Sequence, residues 1–225
     1  TEQKKLLDQE KLQTIKAELK ALRAQMNPHF TFNTLSAIQT AVNSSDTVKA
    51  SKYIGNFATL IRKVLENSKH PYISLSEELE MLKLYIELEQ LRFSNSFSYE
   101  IYTDKKLDIH FHEIPTMVIQ PFVENAILHG LAPKKETDGT LKINISQQEN
   151  VMHCVIQDNG IGREEAAIIK KRKGLLHNSM AMEIIEDRMG FYRKKTGEDY
   201  SVNITDLYDN SSNPIGTKVE LIFPI

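Results

Sequence analysis

Cysteine is nearly absent from this chain. Cys154 is the only one in 225 residues, so no disulfide can form within the chain. It falls in the apolar run from Val151 to Ile156, where an inert, buried thiol is expected. Charge of one sign is lacking as well. Lys and Arg total 28 against 30 Asp and Glu, a net charge of -2. Such a balance exerts no global pull toward nucleic acid or anionic lipid, and no direct nucleic-acid binding is expected. No apolar run approaches the ~20 residues that span a bilayer. There is no internal repeat and no low-complexity tract. Glycine is missing from Thr1 to Val42. What remains is ordinary for a globular protein, with 40% hydrophobic and 26% charged residues. The length leaves room for one large domain or two small ones.

The glycine-free opening reads as helix. Leu12, Ile15, Leu19, Leu22 and Met26 alternate in spacings of three and four, a coiled-coil seam. Asn43-Ser44-Ser45-Asp46 is a turn signal. Val48, Ile54, Phe57, Ile61, Val64 and Leu65 then mark the apolar side of a second helix that stops at Asn67-Ser68, before Pro71. Two such helices form a hairpin whose apolar faces need a partner, and a second copy of the chain supplies it most simply. Ser74-Leu75-Ser76-Glu77 has the form of a capping box opening a helix that runs to about Phe93. The period then changes. Phe97, Tyr99 and Ile101 alternate with polar residues, as do Leu141, Ile143 and Ile145. Met152 to Gln157 is nearly all apolar, as a central strand is. Thr116 to His129 reads as helix, and Val202 to Leu207 and Lys218 to Phe223 as strands. The expectation is a helical hairpin followed by an α/β sandwich, a mixed sheet with helices on one face.

Three clusters carry chemistry. The first is Asn27-Pro28-His29-Phe30-Thr31-Phe32-Asn33-Thr34. Pro28 removes a backbone donor and kinks the helix. His29 beside that kink is a candidate nucleophile, although a lone helical histidine is more often simply packed. The second is Gln120 to Gly130, QPFVENAILHG. On a helix, Asn125 and His129 share a face, and a carboxamide oxygen is a hard donor suited to Mg²⁺. The third is Asp158-Asn159-Gly160-Ile161-Gly162, directly after the central strand. A carboxylate at a strand end can accept a hydrogen bond from an exocyclic amine such as adenine N6. Gly160 and Gly162 let backbone approach a ligand, though Asp-Asn-Gly is equally a turn. Neither the GxGxxG fingerprint nor a phosphate-loop lysine is present.

Residues Leu19 to Ile38, LKALRAQMNPHFTFNTLSAI, resemble the phosphoacceptor segment of two-component sensor histidine kinases of the LytS (autolysin-regulator) type. Leu75 to Phe93, LSEELEMLKLYIELEQLRF, resembles the linker helix of the same family. Ile114 to Gly130 and Val155 to Gly162 resemble the N box and first glycine box of the Bergerat fold, the ATP-binding domain shared with gyrases, Hsp90-type chaperones and mismatch-repair ATPases. The resemblance implies a dimerising, phosphoacceptor hairpin over 1–70 and an ATP-binding domain over 72–225. It implies that ATP phosphorylates His29; a mostly neutral imidazole needs only orientation, for which Asn33, one helical turn on, is the candidate. Asn125 would hold Mg²⁺, and Glu124, among the catalytic residues, would polarise a water or order the metal shell. Asp158 would read adenine, with Gly160 and Gly162 flanking the base. His129, Lys173, Ser179, Gly216 and Thr217 would complete the nucleotide site. The implied partners are a second copy of the chain and a response regulator of the LytTR type. The chain opens at Thr1 in mid-pattern and reads as the cytoplasmic part of a membrane protein whose sensor region lies upstream.

Two positions depart from the family. Ala181 stands where a glycine of the second glycine-rich turn is usual, and Phe30 follows His29 where many other histidine kinases have an acid. Ala181 keeps a rival open, a non-catalytic dimeric scaffold with a degenerate nucleotide site. An ATP-driven clamp would share the pocket but have no use for His29.

Overall fold

The computed structural model describes residues 28–94, 96–134, 138–172 and 200–224. The heptad seam from Leu12 to Met26 lies outside them, as do Lys173, Ser179 and Ala181. The chain divides into two compact units, Thr1–Lys69 and His70–Ile225.

The first unit contains helices α1 (Pro28–Asn43) and α2 (Thr47–Asn67). Ser45 turns the chain between them with φ +58°. Asp46 caps α2, its carboxylate accepting the Lys49 amide at 3.0 Å. Phe30, Thr34 and Ala41 of α1 are buried, and so are Ala50, Tyr53, Leu60 and Val64 of α2. The Phe30 and Phe57 rings meet at 6.3 Å. This differs from the apolar side read from the sequence, since Val48, Ile54 and Leu65 are exposed. Helix α2 is apolar on two sides. The side used within the hairpin is the one where small residues, Ala50 facing inward with Thr34 and Ala41, permit close packing.

The second unit begins with a small antiparallel pair, β1 (Tyr72–Ser74) and β3 (Glu113–Pro115). Helix α3 (Leu75–Arg92) follows β1, and its capping box is complete. The Glu77 amide donates to Ser74 Oγ at 3.2 Å, and the Ser74 amide donates to Glu77 Oε2 at 2.9 Å. The main sheet comprises β2 (Phe97–Thr103), β4 (Gly139–Gln148), β5 (Val151–Asp158), β6 (Ser201–Tyr208) and β7 (Pro214–Pro224). Its order is β2-β4-β5-β7-β6. Only β2 and β4 run parallel, so the sheet is mixed and β5 is central, as its composition predicts. Period-two alternation places Leu141, Ile143 and Ile145, Met152, Cys154 and Ile156, and Val219, Leu221 and Phe223 on one buried face.

The helix predicted over 116–129 is three things. Residues 116–119 form a turn in which Met117 takes φ +57°. Helix α4 (Gln120–Asn125) starts after it and widens into a π turn, Ala126–Leu131. Finally α5 (Gly162–Arg172) leaves the end of β5, acidic in its first turn and basic in its last, matching the helix dipole.

Candidate functional site

Asp158 ends β5 on the buried face, in line with Met152, Cys154 and Ile156. It continues an apolar row but is a carboxylate, and it is 4% exposed. Its cross-strand partners are Leu141 and Thr217. The Gly160 amide donates to Asp158 Oδ1 at 2.8 Å. Burial pushes the Asp158 carboxyl up to about 6, against the amides of Gly160 and Thr217, which hold it down. Asn159 points the other way and stitches the sheet. Its Oδ1 accepts the Thr140 amide at 2.6 Å, and its Nδ2 donates to the Asp138 carbonyl at 3.0 Å. The Asp-Asn pair thus divides its labour, one side chain facing in and one bracing the strand.

The neighbouring glycines are there for each other. A Cβ on Gly160 would sit 2.3 Å from the Gly130 carbonyl carbon, and one on Gly130 would sit 2.7 Å from Asp158 Oδ1. The Ile161 amide donates to the Gly130 carbonyl at 3.1 Å. The π turn and the loop after β5 are therefore in backbone contact, with Asp158 between them. Gly216 has φ +139°, and a Cβ there would lie 2.0 Å from the Asp158 carbonyl oxygen. Beside Gly162 the corresponding space is filled by Pro214.

A cavity of about 260 Å³ opens beside this junction. Asn125, Ala126 and His129 form one wall, Asp158, Thr217 and Val219 the floor, and α5 the opposite wall. The structure thus brings Asn125, His129, Asp158, Gly162 and Thr217 onto one surface. Gly160 and Gly216 stand behind that surface and shape it. Glu124 is not part of the wall. It accepts from Gln120 Nε2 at 3.0 Å and lies where its charge is felt by Tyr85 and Glu89 of α3. Burial first, and the Glu124 charge with it, push the Glu89 carboxyl up to about 7, while Arg92, 2.9 Å away, opposes the shift. His29 and Asn33 belong to the first turns of α1, in the other unit.

The sequence reading reached only the two ends of the α5 wall, Gly162 and Lys170, the latter in a basic run that is either a solvated surface or a screen for phosphate charge. Arg163, Ala166, Ala167 and Lys170 line that wall at spacings of three, four and seven from the first. That stripe has the right helical period, but alanine and cations give no apolar signal. Two alanines leave room for a planar ligand. Arg163 is drawn aside by a two-pronged pair with Asp206, at 2.7 and 2.9 Å. Among the described residues no cluster of three or more His, Cys, Asp or Glu could cage a metal. A single Asn125 carboxamide in the wall suits Mg²⁺, which keeps its waters and is held chiefly through ligand phosphates.

Residues 17–97 match the family described as Histidine kinase. Over 97% of its length the chain is 34% identical to the sensor protein LytS of Oceanobacillus iheyensis, covering 36% of that protein. It is 32% identical to LytS of Bacillus anthracis over 80% of the chain and 31% of the relative. Identity to the sensor histidine kinase YpdA of Escherichia coli is 35%, over 68% of the chain and 26% of the relative. The chain therefore spans about a third or less of the length of these relatives. Among solved structures, the histidine kinase domain of an Erythrobacter litoralis blue-light activated kinase covers 94% of the chain at 12% identity, with a TM-score of 0.48.

Proposed function

This chain belongs to the histidine kinase family, and from that premise we propose that it is the kinase core of a two-component sensor. The unit from His70 binds Mg-ATP, and His29 in the hairpin receives the γ-phosphoryl group. The observation that carries the reading is the convergence of Asp158 and Asn125 on one cavity from a strand end and a helix. Asp158, desolvated and backed by the Gly130–Gly160 contact, has the position to accept from an adenine amine. Asn125 and His129 line the wall where phosphates and their Mg²⁺ would lie, with Thr217 beside Asp158 on the floor. Bound Mg²⁺ supplies neutralisation of phosphate charge. Glu124, off the wall beside Asn125, is assigned to the outer water shell of that ion. Lys173 and Ser179, outside the described residues, are assigned to the phosphates.

An unperturbed imidazole is mostly neutral at pH 7. A lone pair on a ring nitrogen of His29 attacks the γ-phosphorus in line. The N–P bond forms as the bridging P–O bond breaks, ADP leaves, and the ring sheds its other proton to solvent. Asn33, one helical turn on, orients the ring. Positioning and charge neutralisation provide most of the rate. The phosphoryl group then passes to an aspartate of a response regulator, assigned to the LytTR type. The active species is a homodimer. A membrane sensor region upstream belongs to the same reading. Among the described residues, no helix is long and apolar enough to cross a membrane.

Incubation with γ-labelled ATP tests this. Acid-labile label on the protein, abolished by His29→Gln with nucleotide affinity retained, is the expected result. Released phosphate without label would mean a clamp ATPase. Absence of both label and turnover would make Ala181 the prime suspect; Ala181→Gly should then restore some nucleotide affinity, and if it does not, the scaffold reading stands.

A further inference from the structure

We infer that Glu78 is a positioning residue for the metal end of the nucleotide site, a role that rests on the kinase reading above. Helix α4, which carries Asn125, begins at an Ile119 N-cap with no side-chain hydrogen bond from that residue. Helix starts leave backbone amides without partners. Here a carboxylate from another helix serves the amide of the cap residue Ile119 and that of Met117 in the turn before it. Glu78, in the first turn of α3, is 1% exposed. Its Oε2 accepts the Met117 amide at 2.8 Å and its Oε1 the Ile119 amide at 3.1 Å.

This bidentate grip holds a turn that is not at rest by itself, since Met117 takes φ +57°, a region methionine rarely occupies. The same turn is held from a second direction. The Thr116 amide donates to the Pro71 carbonyl at 3.1 Å, and its hydroxyl donates to the carbonyl of His70. Residues 70–78 therefore fix where α4 begins. Asn125 lies on that short helix, six residues beyond the cap, so a displaced start is carried rigidly to the carboxamide. Asp158 is held differently, by the β4 and β7 ladders and by the Gly160 amide. Loss of the Glu78 grip should thus weaken metal-dependent binding more than adenine recognition.

Calorimetry of ADP on the full chain, with Mg²⁺ and with EDTA, reads the difference. In Glu78→Gln the amide keeps its shape, but one of its two prongs becomes a donor facing a donor. The Mg²⁺-dependent gain in affinity should fall about tenfold or more, as loss of an outer-shell partner does. The metal-free affinity should change less than twofold. In an Asn125→Ala background, Glu78→Gln should remove nothing further, because both act through one group. If Glu78→Gln does not fold, the comparison is made in Met117→Gly, which relieves the left-handed residue. A Mg²⁺ gain equal to wild type overturns the inference. Equal losses with and without Mg²⁺, the mark of a merely structural role, overturn it too. Wild type that binds no adenine nucleotide overturns the kinase reading, and this inference with it.

Discussion

A carboxylate at Asp158 costs the fold something that the proposed nucleotide site would use. Its carboxyl is pushed up to about 6 by burial, above the ordinary value near 3.9. A raised value in the folded state means the folded protein holds its proton more tightly than the unfolded chain does. The resulting stability is present below about pH 4 and is lost as pH rises through about 6. Binding runs the other way, because only the ionised group is a charge-assisted acceptor. Asp158→Asn should therefore match wild type in thermal stability near pH 4 and exceed it at pH 7. Its affinity for adenine nucleotides should drop by roughly 1.5–3 kcal/mol, the worth of a hydrogen bond to a charged group. Melting curves at the two pH values and calorimetry at pH 7 check both halves. A variant less stable than wild type at pH 7 would contradict the burial argument. The sequence shows Asp158 as polar punctuation after an apolar strand. That it is buried follows only from its register against Leu141 and Thr217.

Among the elements, α4 with its π turn was the most incompletely legible. Apolar residues over 116–129 announce a helix, and that much holds from Gln120. The widening at Ala126–Leu131 has no local signal. It is stabilised from outside, where the Gly130 carbonyl takes the Ile161 amide and the backbones of Gly130 and Gly160 touch. Gly160→Ala should consequently fail through packing. Its Cβ would lie 2.3 Å from a backbone carbon that cannot swing away. A loss of about 1–3 kcal/mol or more is expected, as for other overpacked sites, measured as a lowered urea midpoint with unchanged slope. Helix α5 escaped notice for the opposite reason. Its cavity side carries two alanines and two cations, and its large apolar residues, Ile168 and Ile169, are adjacent rather than spaced as a stripe. The strands β1 and β3, three residues each, are too short to show a period.

For the whole molecule, the exposed side of the hairpin matters most. Phe32 is 70% exposed, Val48 80% and Ile54 51%, and exposed apolar side chains gathered on one unit mark a surface for association. A second copy of this unit is the expected cover. Light scattering of the chain at micromolar concentration should give a dimer mass, and Ile54→Glu should shift it toward monomer without lowering helix content, because that side chain leaves no cavity behind. A monomer mass for the unaltered chain would refute the dimer.

The long elements, α1 to α3 and the five strands of the main sheet, were determined by the sequence. A capping box, a helical period and a strand period are relations between residues a few positions apart, and the chain writes them in full. The second and third clusters, which meet at one cavity, were likewise recognisable, because close backbone approach demands glycine at particular positions. What only the tertiary structure decided are relations between distant segments. These are which face of α2 turns inward, the contact of Gly130 with Gly160, the α5 wall, and the grip of Glu78 on the start of α4. Each depends on two stretches meeting in one register, and pairing free energy between segments leaves no periodic trace in either one alone.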